Sequence, residues 1–269
     1  MGNGVFAQTV TERKAEADRL LEQGRQQYTT SQYQAAIQSL ETALNIYREI
    51  GDRNIEGTAL NNLGNVYDSL GQYQKAIEFY QQSLTIAREI GDRNGEGNSL
   101  GNLGNAYYSL EQYQKAIEFY QQSLTLAREI GDRNIEGTAL NNLGAAYRSL
   151  GQYQKAIEFY QQSLTIAREI GDRNIEGSVL NNLGDVYDSL GQYQKAIEFY
   201  QQSLTIAREI GDRNIEGSAL NNLGLALFKL KNFPEDEKYL FSSLEVKESL
   251  RQGIQDDLDK VSLSDTQRN

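Results

Sequence analysis

The chain has 269 residues and a formal net charge of -11, with 24 Gly, one Pro and no Cys, His or Trp. These counts exclude disulfides, thiol or imidazole catalysis and zinc sites built on thiolate or histidine. The acidic balance opposes binding to nucleic acid, which rewards clustered Lys and Arg, and no apolar run approaches the roughly 20 residues that insert in a bilayer.

Residues 1–12 are expected to form an N-terminal extension without stable structure. Met1 to Gln8 lack the charged and apolar regions of a secretory signal, yet Val5-Phe6-Ala7 reads equally well as the remnant of a cleavage site, so cytoplasmic and exported locations both stay open. Phe6 stands where myristoylation of Gly2 would want Ser or Thr, so no lipid anchor is implied.

From residue 13 the sequence repeats. Arg53 to Asp92 recurs almost verbatim as Arg93 to Asp132, Arg133 to Asp172 and Arg173 to Asp212, a period of 40 residues, with degenerate copies near 13–52 and 213–250. In one unit, Leu60, Leu63, Tyr67 and Leu70 fall three or four apart and mark the apolar face of a first helix, A. Gly71 interrupts it. Tyr73, Ala76, Ile77, Tyr80, Leu84, Ala87 and Ile90 then draw the stripe of a second helix, B, that stops at Gly91. Asp92 and Asn94 are both able to cap the next helix A. Small residues at Gly64, Ala76 and Ser83 suit close helix approach. A lone pair cannot bury both apolar faces, so the pairs must stack. The expected fold is all-α, a right-handed superhelical solenoid of about six antiparallel helix-turn-helix units over residues 13–250.

Leu63-Gly64-x-x-Tyr67 followed by Ala76, Tyr80 and Ser83 resembles the tetratricopeptide repeat (TPR), with Gly24, Ala36 and Ala43 matching in the first unit. The Trp often found early in helix A and the Pro often found late in helix B are absent. Ala-Arg-Glu-Ile-Gly-Asp instead lengthens helix B, similar to the 40-residue form of kinesin light chains and the Pins family, which implies a peptide-binding scaffold. Ser249-Leu250-Arg251-Gln252-Gly253 and Asp259-Lys260-Val261-Ser262 resemble the segment preceding the caspase-like CHAT module of bacterial repeat proteins. That resemblance implies regulation of such an effector.

Neither a nucleophile–base pair nor a phosphate or dinucleotide motif can be assembled, so an enzyme, a cofactor and a metal are not expected. Recurrent carboxylates such as Glu56, Glu78 and Glu89 read as a solvated surface, with Lys75 near Glu78 and Glu89 near a following Arg. Tyr67, Tyr107, Tyr147 and Tyr187 read as core. Asn62, Asn102, Asn142, Asn182 and Asn222 form a ladder on the other face of helix A, where amides can hydrogen-bond the main chain of an extended peptide; the bland alternative is that they bond one another or water. Comparable asparagines bind peptide in kinesin light chains and Pins proteins, which the resemblance carries to these positions. Variation among the copies concentrates nearby, in Asn65, Asn105, Ala145 and Asp185 and in Asp68, Tyr108, Arg148 and Asp188. Tyr108 and Arg148 are the candidate anchors of a concave groove; neutral drift of an exposed face explains the variation equally well.

In the last unit Asp236 replaces the Ala76-type residue, and Phe228, Phe233 and Leu240 add apolar surface that wants a cover, supplied either by residues 251–269 or by a second copy of the chain. Residues 251–269 are expected to be partly helical or disordered, with disorder beyond Ser262. The functional expectation is a non-enzymatic scaffold that binds a partner protein or peptide in its groove. The alternative is a structural or spacer module that homo-oligomerises through its terminal repeats.

Overall fold

The computed structural model describes the backbone of residues 9–231 and 233–266, and the side chains of 9–231 and 237–253. Twelve α-helices and no strand are present among these residues: α1 Val10–Thr29, α2 Tyr33–Ile50, α3 Arg53–Ser69, α4 Tyr73–Ile90, α5 Arg93–Ser109, α6 Tyr113–Ile130, α7 Arg133–Ser149, α8 Tyr153–Ile170, α9 Arg173–Ser189, α10 Tyr193–Ile210, α11 Arg213–Lys229 and α12 Phe233–Thr266. Odd-numbered helices are the A helices and even-numbered ones the B helices. The chain divides into two compact units, Met1–Leu126 and Ala127–Asn269, with the division inside α6.

The helix ends follow from local chemistry. Gly91 closes α4 in the left-handed conformation (φ 74° at Gly51, 73° at Gly91), and the amide of Asp92 reaches back to the carbonyl of Ala87 at 2.9 Å. Asp92 then caps α5 by accepting from the amide of Gly95 at 2.9 Å, as Asp132 does from Ile135. Asn94 is not a cap: it lies inside the first turn of α5. At the N-terminus Thr9 and Glu12 form a reciprocal capping box, so the first helix begins at Val10 and not at Arg13; residues 1–8 lie outside the described chain.

Packing within a repeat is set by small residues. Leu60 and Leu63 of α3 and Ala76, Ile77 and Tyr80 of α4 are sealed from solvent, and the Tyr80 ring lies directly against the backbone of Gly64. Ser83 buries its hydroxyl by donating to the carbonyl of Gly57 at 2.9 Å, and Ile86 packs over the same glycine. Ile86 lies outside the expected stripe. One residue from each expected apolar face is exposed instead: Leu70, of the helix-A face, is the C-cap of α3, and Ile90, of the helix-B stripe, sits in the last turn of α4. Tyr67 is buried, whereas Tyr107, Tyr147 and Tyr187 are half-buried. Each stacks on a helix-B phenylalanine, Tyr67 on Phe79 with centroids 5.3 Å apart, and carries a lysine over its ring, Lys75 at 5.1 Å.

The last pair keeps this pattern in part. Ser243 donates to the carbonyl of Gly217 at 3.2 Å and Val246 packs on that glycine. Phe228, Phe241 and Leu244 are exposed and Leu240 is half-buried. The side chains of Phe233 and Asp236 lie outside the described residues. Helix α12 runs on to Thr266, past Ser262, where disorder was expected; an Arg251–Glu248 pair at 2.6 Å sits in its middle.

Candidate binding face of the A helices

The ladder residues and their neighbours share a side of the A helices, and the structure shows what each amide bonds. In the first unit Asn62 and Asn102 are half-buried. Asn102 Nδ2 donates to Asn61 Oδ1 at 3.0 Å and to Asn65 Oδ1 at 3.5 Å. The link therefore runs from a ladder position to the residue beside the ladder asparagine of the preceding repeat, and that neighbour is Asn at 61, 141, 181 and 221 but Gly at 101. Asn62 has no equivalent acceptor, because Leu21 stands where a paired asparagine would, and its Nδ2 is buried without a hydrogen-bond partner. In the second unit Asn182 donates to Asn141 at 3.0 Å, and Asn222 donates to Asp185 at 3.0 Å and Asn181 at 3.4 Å. Asn142 is half-buried on the same face.

The variable positions beside the ladder are tied to the B helices. Tyr80 donates its hydroxyl to Asn65 Oδ1 and Tyr120 to Asn105 Oδ1, both at 2.8 Å, and Tyr200 does the same to Asp185 at 2.9 Å. Burial pushes the ionisation of Tyr80, Tyr120 and Tyr200 well up, so these phenols remain donors. Asn65, Asn105 and Asp185 thus hold the A and B helices of their repeats together, a role that spacing alone did not reveal.

The two anchor candidates differ in freedom. Tyr108 is half-buried and meets Tyr113 edge-on at 5.3 Å, so its ring is held at the first turn of α6. Arg148 is not an open anchor: its Nη1 donates to Asp185 Oδ2 at 2.6 Å. Lys229 pairs with Asp188 at 2.6 Å beside it, giving the second unit two neighbouring ion pairs around a polar cavity of about 180 Å³. Burial raises the Asp185 carboxyl above the usual carboxylate value, and the charge of Arg148 offsets part of that rise. Asp68 of the first unit is also raised by burial, with one oxygen left without a partner.

The carboxylates divide in a way the repeat pattern concealed. Glu78 and Glu89 are exposed, but Glu56 is only 4% exposed and accepts from Arg48 Nε at 3.0 Å and Arg53 Nη1 at 2.6 Å. Glu96, Glu136, Glu176 and Glu216 are buried in the same double arginine grip. These five carboxylates are buried under half-exposed arginines and are not a solvated surface. A carboxylate can be buried here because two guanidinium groups satisfy both of its oxygens. Glu89 pairs with the preceding Arg53 of its own repeat, not with a following arginine, and Lys75 lies over Tyr67.

Among the described residues no group of three or more His, Cys, Asp or Glu is placed to hold a metal ion, and no helix is long and apolar enough to cross a membrane. No curated protein matches the sequence. Solved structures do match in fold. BtubC (BKLC) from P. vanneervenii is 20% identical, with 91% of this chain and 93% of that one aligned at a TM-score of 0.67. A Rap protein complexed with competence and sporulation factor is 16% identical over 88% of this chain and 76% of that one, at 0.65. Nearly identical TPR-like repeats of a kinesin light chain from Podosopora anserina are 22% identical over 74% of this chain and 98% of that one, at 0.62. The tetratricopeptide repeat profile matches residues 16–89, 72–129, 95–169, 136–209 and 175–249, and together with the paired helices and the glycine–tyrosine contacts inside them this shows that the chain belongs to the tetratricopeptide repeat family.

Proposed function

We propose that the chain is a non-enzymatic scaffold whose A-helix face holds an extended segment of a partner protein through its main chain. The observation that carries this reading is the state of the ladder amides. Asn102 and Asn182 each give an N–H to a neighbouring amide, accept from no protein donor among the described residues, and are half-exposed. The link between amides fixes each side chain; both carbonyl oxygens remain for a ligand's peptide groups, as does the second N–H of Asn182, while Asn102 gives its second N–H to Asn65. Tyr108 borders this face in the first unit, and Arg148 and Asp185 border it in the second. Solution of the Rap relative with a bound factor supports the reading by analogy of fold. The C-terminal likeness to the segment before a CHAT module makes a caspase-like effector the setting in which such binding would act.

The test is peptide selection from a random display library on the wild-type chain. Selected peptides are then measured against a variant with Asn62, Asn102, Asn142 and Asn182 all changed to Ala, matched in fold by circular dichroism. Loss of affinity of about tenfold or more, the scale of one or two lost hydrogen bonds, supports the reading. Equal affinity for both proteins, or no selected peptide, sinks it.

A second reading rests on a separate observation. Leu244 is 60% exposed, whereas its counterparts Leu84, Leu124, Leu164 and Leu204 are buried, and Phe241 beside it replaces a glutamine found in the four intact copies. In this reading the α11–α12 pair joins a second copy of the chain. Sedimentation velocity across a hundredfold concentration range separates the two: a concentration-dependent mass abolished by Phe241→Ser with Leu244→Ser favours self-assembly, and a constant monomer rejects it.

A further inference from the structure

The repeats are nearly identical, so a place where one copy lacks a side chain that the others share is informative. Position 95 is such a place: Gly95 stands where the other intact copies have Ile55, Ile135 and Ile175 and the last copy has Ile215. In the second unit that isoleucine fills the space over the preceding repeat. Ile175 Cδ1 lies 3.9 Å from where a Cβ on Gly137 would stand, and Ile215 Cδ1 lies 3.6 Å from the same point on Gly177. Over Gly57, in the first unit, only Ile86 is near.

The missing side chain leaves a cavity of about 330 Å³ between α3, α4 and α5, floored by Ile86, Ala87 and Ile90 of α4. The corresponding cavity of the second unit, beside Ile215, is about 200 Å³, and no α10 residue lines it. Ile90 reports the same uncovering: it is 41% exposed, while Ile50, Ile130, Ile170 and Ile210 are all less so. Most of the remaining lining is polar, including Asp92, Ser83, Ser99, Asn98, Arg25 and Asn62, the ladder amide whose N–H has no partner to release.

We infer that this cavity is a specificity pocket that takes a branched aliphatic side chain of a bound peptide, with the adjacent peptide carbonyl accepting from Asn62. The occupant's chemistry is that of the isoleucine which fills the same space in repeats of the second unit; Ile86, Ala87 and Ile90 give it an apolar wall, and the polar remainder of the lining suits the peptide groups on either side. Thr58, Asn61 and Asn62 of the A-helix face line the pocket. It therefore rests on the scaffold reading and adds to it a register, since one repeat out of the array is marked to receive an anchor.

The decisive variant is Gly95→Ile, which makes this copy like its neighbours. The Asp92 carboxylate, now close to Gly95, has only to turn as Asp132 and Asp172 do where they cap Ile135 and Ile175. The variant should fold and melt no lower than the wild type. The probe is N-acetyl-L-leucine methylamide, followed by amide chemical shifts in the 15N-labelled full chain, with N-acetylglycine methylamide as the control lacking a side chain. Expected are shifts at Ala87, Gly95 and Ser99 that saturate in the millimolar range, absent with the glycine probe and lost in Gly95→Ile. No saturable shift at these residues, or the same shifts in Gly95→Ile, overturns the pocket. The two readings fail separately: library-selected peptides that lose affinity on the fourfold Asn variant but bind Gly95→Ile unchanged would keep the scaffold and reject the pocket. Peptides that use it should bind Gly95→Ile at least about tenfold more weakly, the scale of discrimination by a filled apolar pocket.

Discussion

A Cβ on Gly144 would lie 2.6 Å from Cδ1 of Tyr160, a ring with no exposed surface. Helix propensity favours Ala over Gly by about 1 kcal/mol, but overpacking a ring that cannot yield costs about 1–3 kcal/mol or more. Gly144→Ala is therefore expected to lose up to about 2 kcal/mol net in urea unfolding. Gly101 gives the opposite case, since the nearest atom to its Cβ position is Ser123 Oγ at 4.0 Å. Gly101→Ala should gain about 0.5–1 kcal/mol.

Glu136 is expected to show a pH signature. Burial alone would raise its carboxyl, but the hydrogen bonds from Arg128 and Arg133 outweigh that and lower it below the ordinary value. A lowered native value means the stabilisation is present above the unfolded-state value of about 4.3 and is lost as pH falls through the native one. Glu136→Gln should cost about 1–2 kcal/mol at pH 7, discounted because both arginines are half exposed. The gap between wild type and variant should close below about pH 4, as read by chemical denaturation at several pH values.

Asp185 carries the opposite sign. Its native value is raised, so its charge costs stability above that value, and the cost is relieved as pH falls through it toward the unfolded value. Asp185→Asn keeps an acceptor for Tyr200, as Asn65 does for Tyr80, and should change stability by no more than about 1 kcal/mol at pH 7. Arg148→Ala should cost about 1–2 kcal/mol more in the wild type than in the Asp185→Asn background, because only the former leaves a buried carboxylate unpaired. A double-mutant cycle measures this coupling.

Glu111 occupies the turn between α5 and α6 with φ of 58°, where the equivalent Gly71, Gly151 and Gly191 have φ near 70°. A side chain in the left-handed region costs about 1 kcal/mol, so Glu111→Gly should raise the stability of the first unit by about 0.5–1 kcal/mol. Thermal unfolding reads it directly.

The architecture was legible because a 40-residue period repeats both helix stripes and both turn glycines, and Gly91 and Asp92 mark their helix boundary by chemistry that needs no tertiary information. What the sequence hid depends on how successive repeats meet. The ladder was visible as a row, but its bonds run from Asn102 to Asn61, an offset set by the stacking of α5 on α3. Glu56 looked like surface because charge at a helix start usually is, and its burial depends on Arg48 folding back across the turn from α2. Gly95 was readable as a substitution, but only the space left above Gly57 gives it meaning.

The double arginine grip on Glu56 ties more than one pair of groups. Arg48 comes from α2, Glu56 and Arg53 from α3, and Arg53 also reaches Glu89 on α4, so one network of two arginines and two carboxylates joins three successive helices from two repeats. An unfolding front moving along the first unit cannot release one repeat at this border without stranding charge in its neighbour. The border should therefore resist fraying, and hydrogen exchange there should open in blocks longer than a single repeat.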